Sequence, residues 1–385
     1  MRIGIDCRNI LSPELGEQAG IGHYTAYLVQ HLLQYDTKNT YVLFFDHRVK
    51  DTQLFAQYSN VEIRRFPFSR YKKFLPITYA HGVVPKVLSN AQLDVFHAPA
   101  NILPLSYHKP SVITIHDLAI YREPTWFPRQ VLSTSVLVPR SLREADRIIA
   151  VSESTADDIQ MLFNIPSKKI SVIYEGVEEF KRKRGGAERV KKKCKLTKPY
   201  FLFVGTLEPR KNLPHAIQAY ARFVRREGEL ASETEFLIVG AKGYRHEDVT
   251  AMIKQEKMQR HVRLLGYVSQ EEKVELMKGA IAFVFPSLYE GFGLPVLEAM
   301  QLGTPVIASD TSSLSEIIGR SGMLVNAEDV SAMTRAMGSM LVNPKFRIEL
   351  ARRGKRKAQQ FSWERTARET LKVYQRVERT IKHGA

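Results

Sequence analysis

The 385-residue chain holds two cysteines, Cys7 and Cys194, and they share no metal-ligand or redox spacing. That excludes a disulfide framework and makes a reducing cytoplasm the expected compartment. No Asp-x-Asp pair occurs, so the acidic spacing that clamps a divalent ion is missing. No apolar run approaches the roughly 18 residues of a membrane span. The opening MRIGID reads as a buried strand and not as a secretory leader. A dinucleotide fingerprint is absent too. Gly20 and Gly22 are followed by Thr25, where G-x-G-x-x-G needs its third glycine, and a nicotinamide-dependent dehydrogenase is thereby rejected. There is no repeat of 20–50 residues and no low-complexity tract beyond one lysine-rich stretch.

What remains is an ordinary globular composition, 44% hydrophobic and 25% charged, in a length that suits two domains. The net charge of +17 is concentrated. Residues 181–198 carry ten Lys/Arg against one Glu, and residues 352–382 carry eleven against three, which accounts for the whole excess. A nucleic-acid reader more often spreads cations over a folded face with stacking aromatics between them, so no nucleic-acid partner is expected. Two readings stay open for these segments: a solvated linker and helix face, or peripheral contact with anionic lipid, where each nearby cation contributes about 1 kcal/mol. A third stretch, Arg64 to Leu75, interleaves cations with aromatics and fits a membrane interface or an acceptor-side loop.

Apolar β-rich runs alternate with helical patterns from end to end, which predicts an α/β protein with parallel sheets. The first-half strands are 2–6, 41–45, 61–64, 95–97, 112–115, 148–151 and 170–173. The second-half strands are 200–204, 235–239, 262–265, 282–285, 305–308 and 323–325. Ser152 reads as the N-cap of a helix ending near Phe163, with Thr155 as an alternative. A final amphipathic helix, about 363–381, aligns Leu371, Tyr374 and Val377 on one face. The composition shift at the basic run divides the chain into an N-terminal domain 1–180, a linker 181–198, a C-terminal domain 199–362 and a terminal helix 363–385.

The most informative segment is Phe285 to Met300, FPSLYEGFGLPVLEAM. A strand, a glycine loop and a helix in that order aim backbone N–H groups and a positive dipole end at one spot, which suits an anion. Phe292, Gly293 and Leu294 form that loop; Gly293 frees the backbone to approach a ligand, and Pro295 suits the first helical position. Glu290 precedes the loop and Glu298 lies one turn into the helix. The residues alone equally fit an ordinary crossover loop with two solvated glutamates. Arg210 and Lys211 follow strand 200–204 and its Gly205-Thr206, so they stand at a sheet's carboxyl end, where ligands bind. Gly20 and Gly22 stand between strand 2–6 and a helix beginning near Tyr24; a simple tight turn would look the same. His116 follows strand 112–115 and could equally be a structural hydrogen-bonder.

The spacing of Glu290 and Glu298, with Gly20–Tyr24, Thr114–Leu118, Val151–Ser154, Gly205–Asn212, Pro286-Ser287 and Gly303–Ile307 in the same order, resembles the retaining glycosyltransferases of family 4. The resemblance covers nearly the whole chain. Its wording is most similar to the mannosyltransferases that extend O-antigen-type glycans. It implies the GT-B fold: two doubly wound Rossmann-like domains facing across a cleft, with the last helix crossing back to the N-terminal domain. It also implies a nucleotide-sugar donor, GDP-mannose, and a glycan or lipid-linked acceptor at the cytoplasmic membrane face. A UDP-sugar enzyme (glucose, galactose or GlcNAc) is the alternative of the same class. A catalytically inactive membrane- or polyanion-binding protein is the alternative of a different class.

Roles follow from residues and resemblance together. Arg210 and Lys211 suit the departing diphosphate, although many relatives carry Arg where this chain has Thr206. By resemblance the Gly20/Gly22 loop closes over the diphosphate, and His116 sits near the transferred sugar. Val268, with Gly266 and Tyr267, is expected near the base. Glu290 and Glu298 come from one loop–helix unit, so they cannot flank a scissile bond as the two carboxyls of a retaining glycosidase do. Glu298 is expected to accept from the ribose hydroxyls and Glu290 to hold a hydroxyl of the sugar. No cofactor or metal is expected, with cations and helix N-termini standing in for Mg²⁺.

Overall fold

The computed structural model describes residues 1–10, 20–66, 82–104, 106–127, 131–178, 180 and 185–384. The chain divides into two compact units, one of Met1–Gly176 with Ser362–Ala385, the other of Val177–Phe361.

Seven strands build the first unit's sheet: β1 (Arg2–Asp6), β2 (Thr40–Phe45), β3 (Val61–Arg65), β4 (Val95–Ala98), β5 (Ser111–Ile115), β6 (Arg147–Ala150) and β7 (Ile170–Val172). Their order is β3-β2-β1-β4-β5-β6-β7, all parallel. Strands covered on both faces read as unbroken apolar runs, and β5 is buried at every position. The order reverses between β1 and β4, the switch point of a doubly wound sheet. Helix Glu153–Phe163 starts at Ser152, whose hydroxyl accepts the Thr155 amide at 3.0 Å; Thr155 lies inside the helix.

The terminal helix Trp363–Gly384 belongs to this unit. It packs on helix Gly20–Tyr35 and on β4, β5 and β6. Leu371, Tyr374 and Val377 are buried as their spacing requires. The Tyr374 hydroxyl reaches His97 Nδ1 at 2.7 Å, while Thr114 Oγ1 holds Nε2 at 2.8 Å. Burial lowers His97 to about 3, so the ring is neutral inside the unit.

The second sheet holds β8 (Tyr200–Val204), β9 (Glu235–Val239), β10 (Val262–Gly266), β11 (Ala282–Phe285), β12 (Val306–Ser309) and β13 (Met323–Val325). The order β10-β9-β8-β11-β12-β13 is again parallel, and it reverses between β8 and β11. Phe203 stacks on Phe285 across that junction, with ring centroids 5.8 Å apart. Beyond it, β8 and β9 run so close at their carboxyl ends that a Cβ on Gly240 would lie 1.8 Å from the Gly205 carbonyl oxygen. Only glycine fits there.

Two expectations are corrected. The basic run 181–198 is not a bare linker, because Gly186–Cys194 is a helix of the second unit. Its exposed face carries Lys191, Lys192 and Lys193, while Val190 is buried. Gly20 and Gly22 stand inside helix Gly20–Tyr35, whose first turn starts four residues before Tyr24, and not ahead of the helix. Gly22 is buried and Gly20 is exposed. The cation–aromatic stretch 64–75 lies outside the described residues beyond Phe66.

Candidate functional site

The switch point of the second sheet collects charge. After β8 the chain passes Gly205 and the exposed Thr206, then makes a tight turn over Pro209–Lys211. Asn212 ends that turn in the left-handed region, at φ 53°, and its side-chain Nδ2 donates to the Ala327 carbonyl at 2.7 Å. After β11 comes the loop 286–293. The two loops are tied by the Leu288 amide donating to the Arg210 carbonyl at 2.8 Å. Residues nearly eighty positions apart in sequence are thereby brought side by side.

Glu290 is the centre of this cluster and is only 7% exposed. Lys211 Nζ donates to its Oε1, Arg210 Nη1 approaches its Oε2 at 3.1 Å, and the Ser287 hydroxyl donates to Oε1 at 2.6 Å. Arg210 also binds Glu208 at 2.6 Å and donates to the Tyr289 carbonyl at 3.2 Å. The ammonium of Lys211 lies 4.9 Å from the centre of the Phe285 ring. Burial alone would raise the Glu290 carboxyl, but the charges of Lys211 and Arg210 overcome it and bring it down to about 2. Burial likewise pushes the Lys211 ammonium down, against the pull of Glu290. The outcome is a carboxylate that stays ionised and accepts hydrogen bonds without giving a proton.

Serines beyond β12 hold the loop in shape. The Glu290 amide donates to Ser312 Oγ at 2.8 Å; Ser313 Oγ donates to the Glu290 and Phe292 carbonyls at 3.0 and 2.8 Å. Ser309 and Thr311 both donate to the Ser287 carbonyl. Gly293 then turns the chain into helix Leu294–Gln301 at φ +105°, a value that leaves little choice but glycine. A Cβ there would also lie 2.8 Å from Leu314 Cδ2. No side chain caps this helix, and Pro295 takes its second position instead of the first. Phe292 is buried and Leu294 half-buried at the helix start. Helix Leu294–Gln301 thus starts at the end of the loop whose Glu290 meets the two cations, and a helix start of this kind favours an anion.

Glu298 takes a different partner. Both its oxygens face Lys273 Nζ, at 2.7 and 2.8 Å, from helix Gln270–Gly279. Burial raises its carboxyl, Lys273 opposes, and Glu178 adds to the rise. Nothing in the local sequence marks Lys273, which is 25 residues away and on another helix. Val268 is half-buried just past β10, beside Tyr267, whose side chain is 84% exposed. A cavity of about 460 Å³ opens between helix Gly186–Cys194 and the start of helix Gln270–Gly279, lined by Glu178, Val190, Lys193 and Glu272 among others. None of Arg210, Lys211, Glu290 or Glu298 lines it, so the charged cluster and not this cavity is the candidate site.

In the first unit, His116 stands just past β5. Its amide donates to Asn101 Oδ1 at 2.9 Å, and its ring nitrogens face Glu175 Oε1 at 3.3 Å and the Pro99 carbonyl at 2.9 Å. The Tyr24 ring meets it edge-on at 4.6 Å. Gly20 and Gly22 open the helix that carries Tyr24. The structure thus brings Arg210, Lys211 and Glu290 into direct contact, and places Thr206, Val268, Phe292, Gly293, Leu294 and Glu298 on the same unit's loops and helices. His116, Gly20 and Gly22 belong to the other unit.

Two family descriptions match the chain in tandem: Glycosyltransferase Family 4 over residues 19–179 and Glycosyl transferases group 1 over residues 186–359. The chain is 32% identical over 284 residues to the O-antigen chain mannosyltransferase B of Escherichia coli, across 73% of this chain and 74% of that one. It is 31% identical over 251 residues to the serotype-specific mannosyltransferase WbdA of Escherichia coli, across 60% of this chain and 29% of that protein. In fold it is similar to Anabaena HepE, solved in complex with UDP and glucose, at a TM-score of 0.72, 19% identity and coverage of 97% and 99% of the two chains. A relative at that identity over most of both chains, with matches to the two family halves in sequence order, settles the relationship. The chain belongs to the group 1 glycosyl transferases of family 4 and has the GT-B fold.

Proposed function

We propose that this glycosyltransferase is a retaining enzyme that moves mannose from GDP-mannose onto a lipid-linked glycan or polysaccharide. The observation that carries the reading is the contact of Lys211 and Arg210 with Glu290 at the β8/β11 switch point. The donor's diphosphate lies against the two cations and the N-terminal end of helix Leu294–Gln301, with Glu298 on the ribose and Glu290 on the sugar. When the acceptor oxygen bonds to the anomeric carbon, the bond from that carbon to the phosphate oxygen breaks. The acceptor's proton passes to the departing diphosphate on the same face, so configuration is retained. Lys211 and Arg210 stabilise the growing negative charge, as preorganised donors in a dry site do. Their two positive charges fill the part a divalent ion plays elsewhere, so transfer proceeds without added metal. Glu290, held as an anion, neither protonates the leaving group nor needs to.

Mannose is favoured over other hexoses by the similarity to two mannosyltransferases. The UDP-sugar alternative is favoured by similar folds solved with UDP, among them the Anabaena one with UDP and glucose. Membrane contact is part of the proposal. Lys191, Lys192 and Lys193 on one helix, and Arg352, Arg353, Lys355 and Arg356 on helix Pro344–Ala358, are exposed cations suited to anionic headgroups. On this proposal the enzyme works at the inner face of the cytoplasmic membrane, with those cations against its anionic headgroups.

The test is transfer from GDP-mannose and from UDP-glucose to lipid-linked acceptors, in EDTA, with the anomeric configuration of the product read by NMR. An α-mannoside from GDP-mannose is expected. A β-linked product would overturn retention, and transfer from UDP-glucose alone would overturn the donor.

A further inference from the structure

Lys273 stands outside every motif of the sequence, yet it makes the only two-point grip on a candidate ligand-binding carboxylate among the described ion pairs of the second unit. Helix Gln270–Gly279, which carries it, is anchored at its start by a closed capping box. The Ser269 hydroxyl accepts the Glu272 amide at 3.2 Å, and the Glu272 carboxylate accepts the Ser269 amide at 2.9 Å. That box fixes where the helix begins, and so where the residue one turn in is presented. Lys273 crosses from the β10–β11 connection to Glu298 on the β11–β12 connection. Side-chain exposures of 18% and 17% put both groups largely out of water.

We infer that Lys273 is a positioning residue for donor recognition: by holding both oxygens of Glu298 it fixes that carboxylate's orientation and charge, and so sets the preference for a ribose over a deoxyribose. This rests on the reading of Glu298 as the acceptor for the ribose hydroxyls. The chemistry is one of lone pairs. An ionised carboxylate offers about four acceptor sites on two oxygens. Lys273 occupies one on each oxygen, and one on each remains for two neighbouring hydroxyls. Without the ammonium, two things change. The carboxylate is free to rotate, and burial, with the Glu178 charge also facing it, favours the protonated form. A carboxylic acid presents fewer acceptors to a diol and loses the added strength of a charged partner. A plain helix-to-helix brace would lower stability alike but would leave the ribose preference untouched.

The experiment is calorimetric titration of the full chain with GDP and with 2′,3′-dideoxy-GDP, and with the uridine pair in parallel. Hydrogen bonds to a charged group are worth roughly tenfold or more each. The intact protein is therefore expected to prefer the ribonucleotide by roughly 100-fold. Lys273→Met should cut that preference by about tenfold while affinity for the dideoxy compound, which has no hydroxyl for Glu298 to receive, stays within about threefold. Lys273→Arg, which can grip both oxygens, should restore most of it. Lys273→Gln, a neutral donor of similar length, should lie between and serves if the Met variant does not fold. A preference unchanged in Lys273→Met and Lys273→Gln would overturn the inference and leave Glu298 in its role. No preference in the intact protein, with Glu298→Gln binding equally well, would overturn the ribose reading and the inference with it.

Discussion

Replacing Lys211 by Met leaves the Glu290 carboxylate buried, with Arg210 at 3.1 Å and Ser287 at 2.6 Å as remaining partners. In the intact chain, burial works to raise Glu290 from its ordinary 4.5, but the two cations bring it to about 2. That depression corresponds to roughly 3 kcal/mol of folding stability. The sign is fixed by linkage: the contribution is complete above the unfolded value and disappears as pH falls through about 2. In Lys211→Met the burial effect meets less opposition, and the folded value moves upward. Once it exceeds the unfolded value the sign reverses, so the variant is weakest at neutral pH and regains ground as acid protonates Glu290. Breaking one side of a buried pair costs about 3–5 kcal/mol. We expect a loss in that range at pH 7 and a clearly smaller one at pH 4.

The double variant Lys211→Met/Glu290→Gln removes both charges and should recover about 2 kcal/mol relative to the sum of the singles. Trp126 and Trp363 both lie in the first unit and would report on the wrong half. Hydrogen exchange over residues 200–213 and 282–302 is the suitable assay, because it reads the switch-point loops themselves. A loss that stays constant between pH 4 and pH 7, and is additive with Glu290→Gln, would refute the coupled buried pair.

Gly293→Ala should cost about 1–3 kcal/mol, the range for a strained backbone position, since φ +105° and Leu314 both oppose a Cβ. Thermal unfolding checks it, and a variant as stable as the parent would contradict the geometry. Ser152→Ala should cost about 1 kcal/mol by losing the N-cap to Thr155, and Ser152→Gly a few tenths. Tryptophan fluorescence in denaturant reports this one well, because the indoles share its unit.

The sheets were legible because parallel strands, covered on both faces, write themselves as short apolar runs. Tyr200–Val204, Glu235–Val239 and Ala282–Phe285 begin and end where the sequence pattern places them. The N-cap at Ser152 was equally plain, since a hydroxyl before a helical pattern has a local physical use. Helix Gly186–Cys194 was hidden because its charge outweighs its one buried aliphatic, Val190, and an amphipathic signal that thin looks like a solvated run. The pairing of Lys211 with Glu290 was only half legible. Both positions follow strands, so each could be sent to a carboxyl edge, but their assignment to separate parts of a donor did not foresee that they bind one another. Lys273 could not have been found at all, because its contact with Glu298 depends on how two crossover helices lie together and on no spacing within either.

The most direct test of the donor-site account is calorimetric titration of the intact chain with GDP, UDP and ADP at matched ionic strength and without divalent metal. The account predicts metal-free binding of GDP, tighter than UDP or ADP. Binding of no nucleoside diphosphate, or of none without added metal, would contradict the part given to Arg210 and Lys211, and a preference for UDP would contradict the proposed donor.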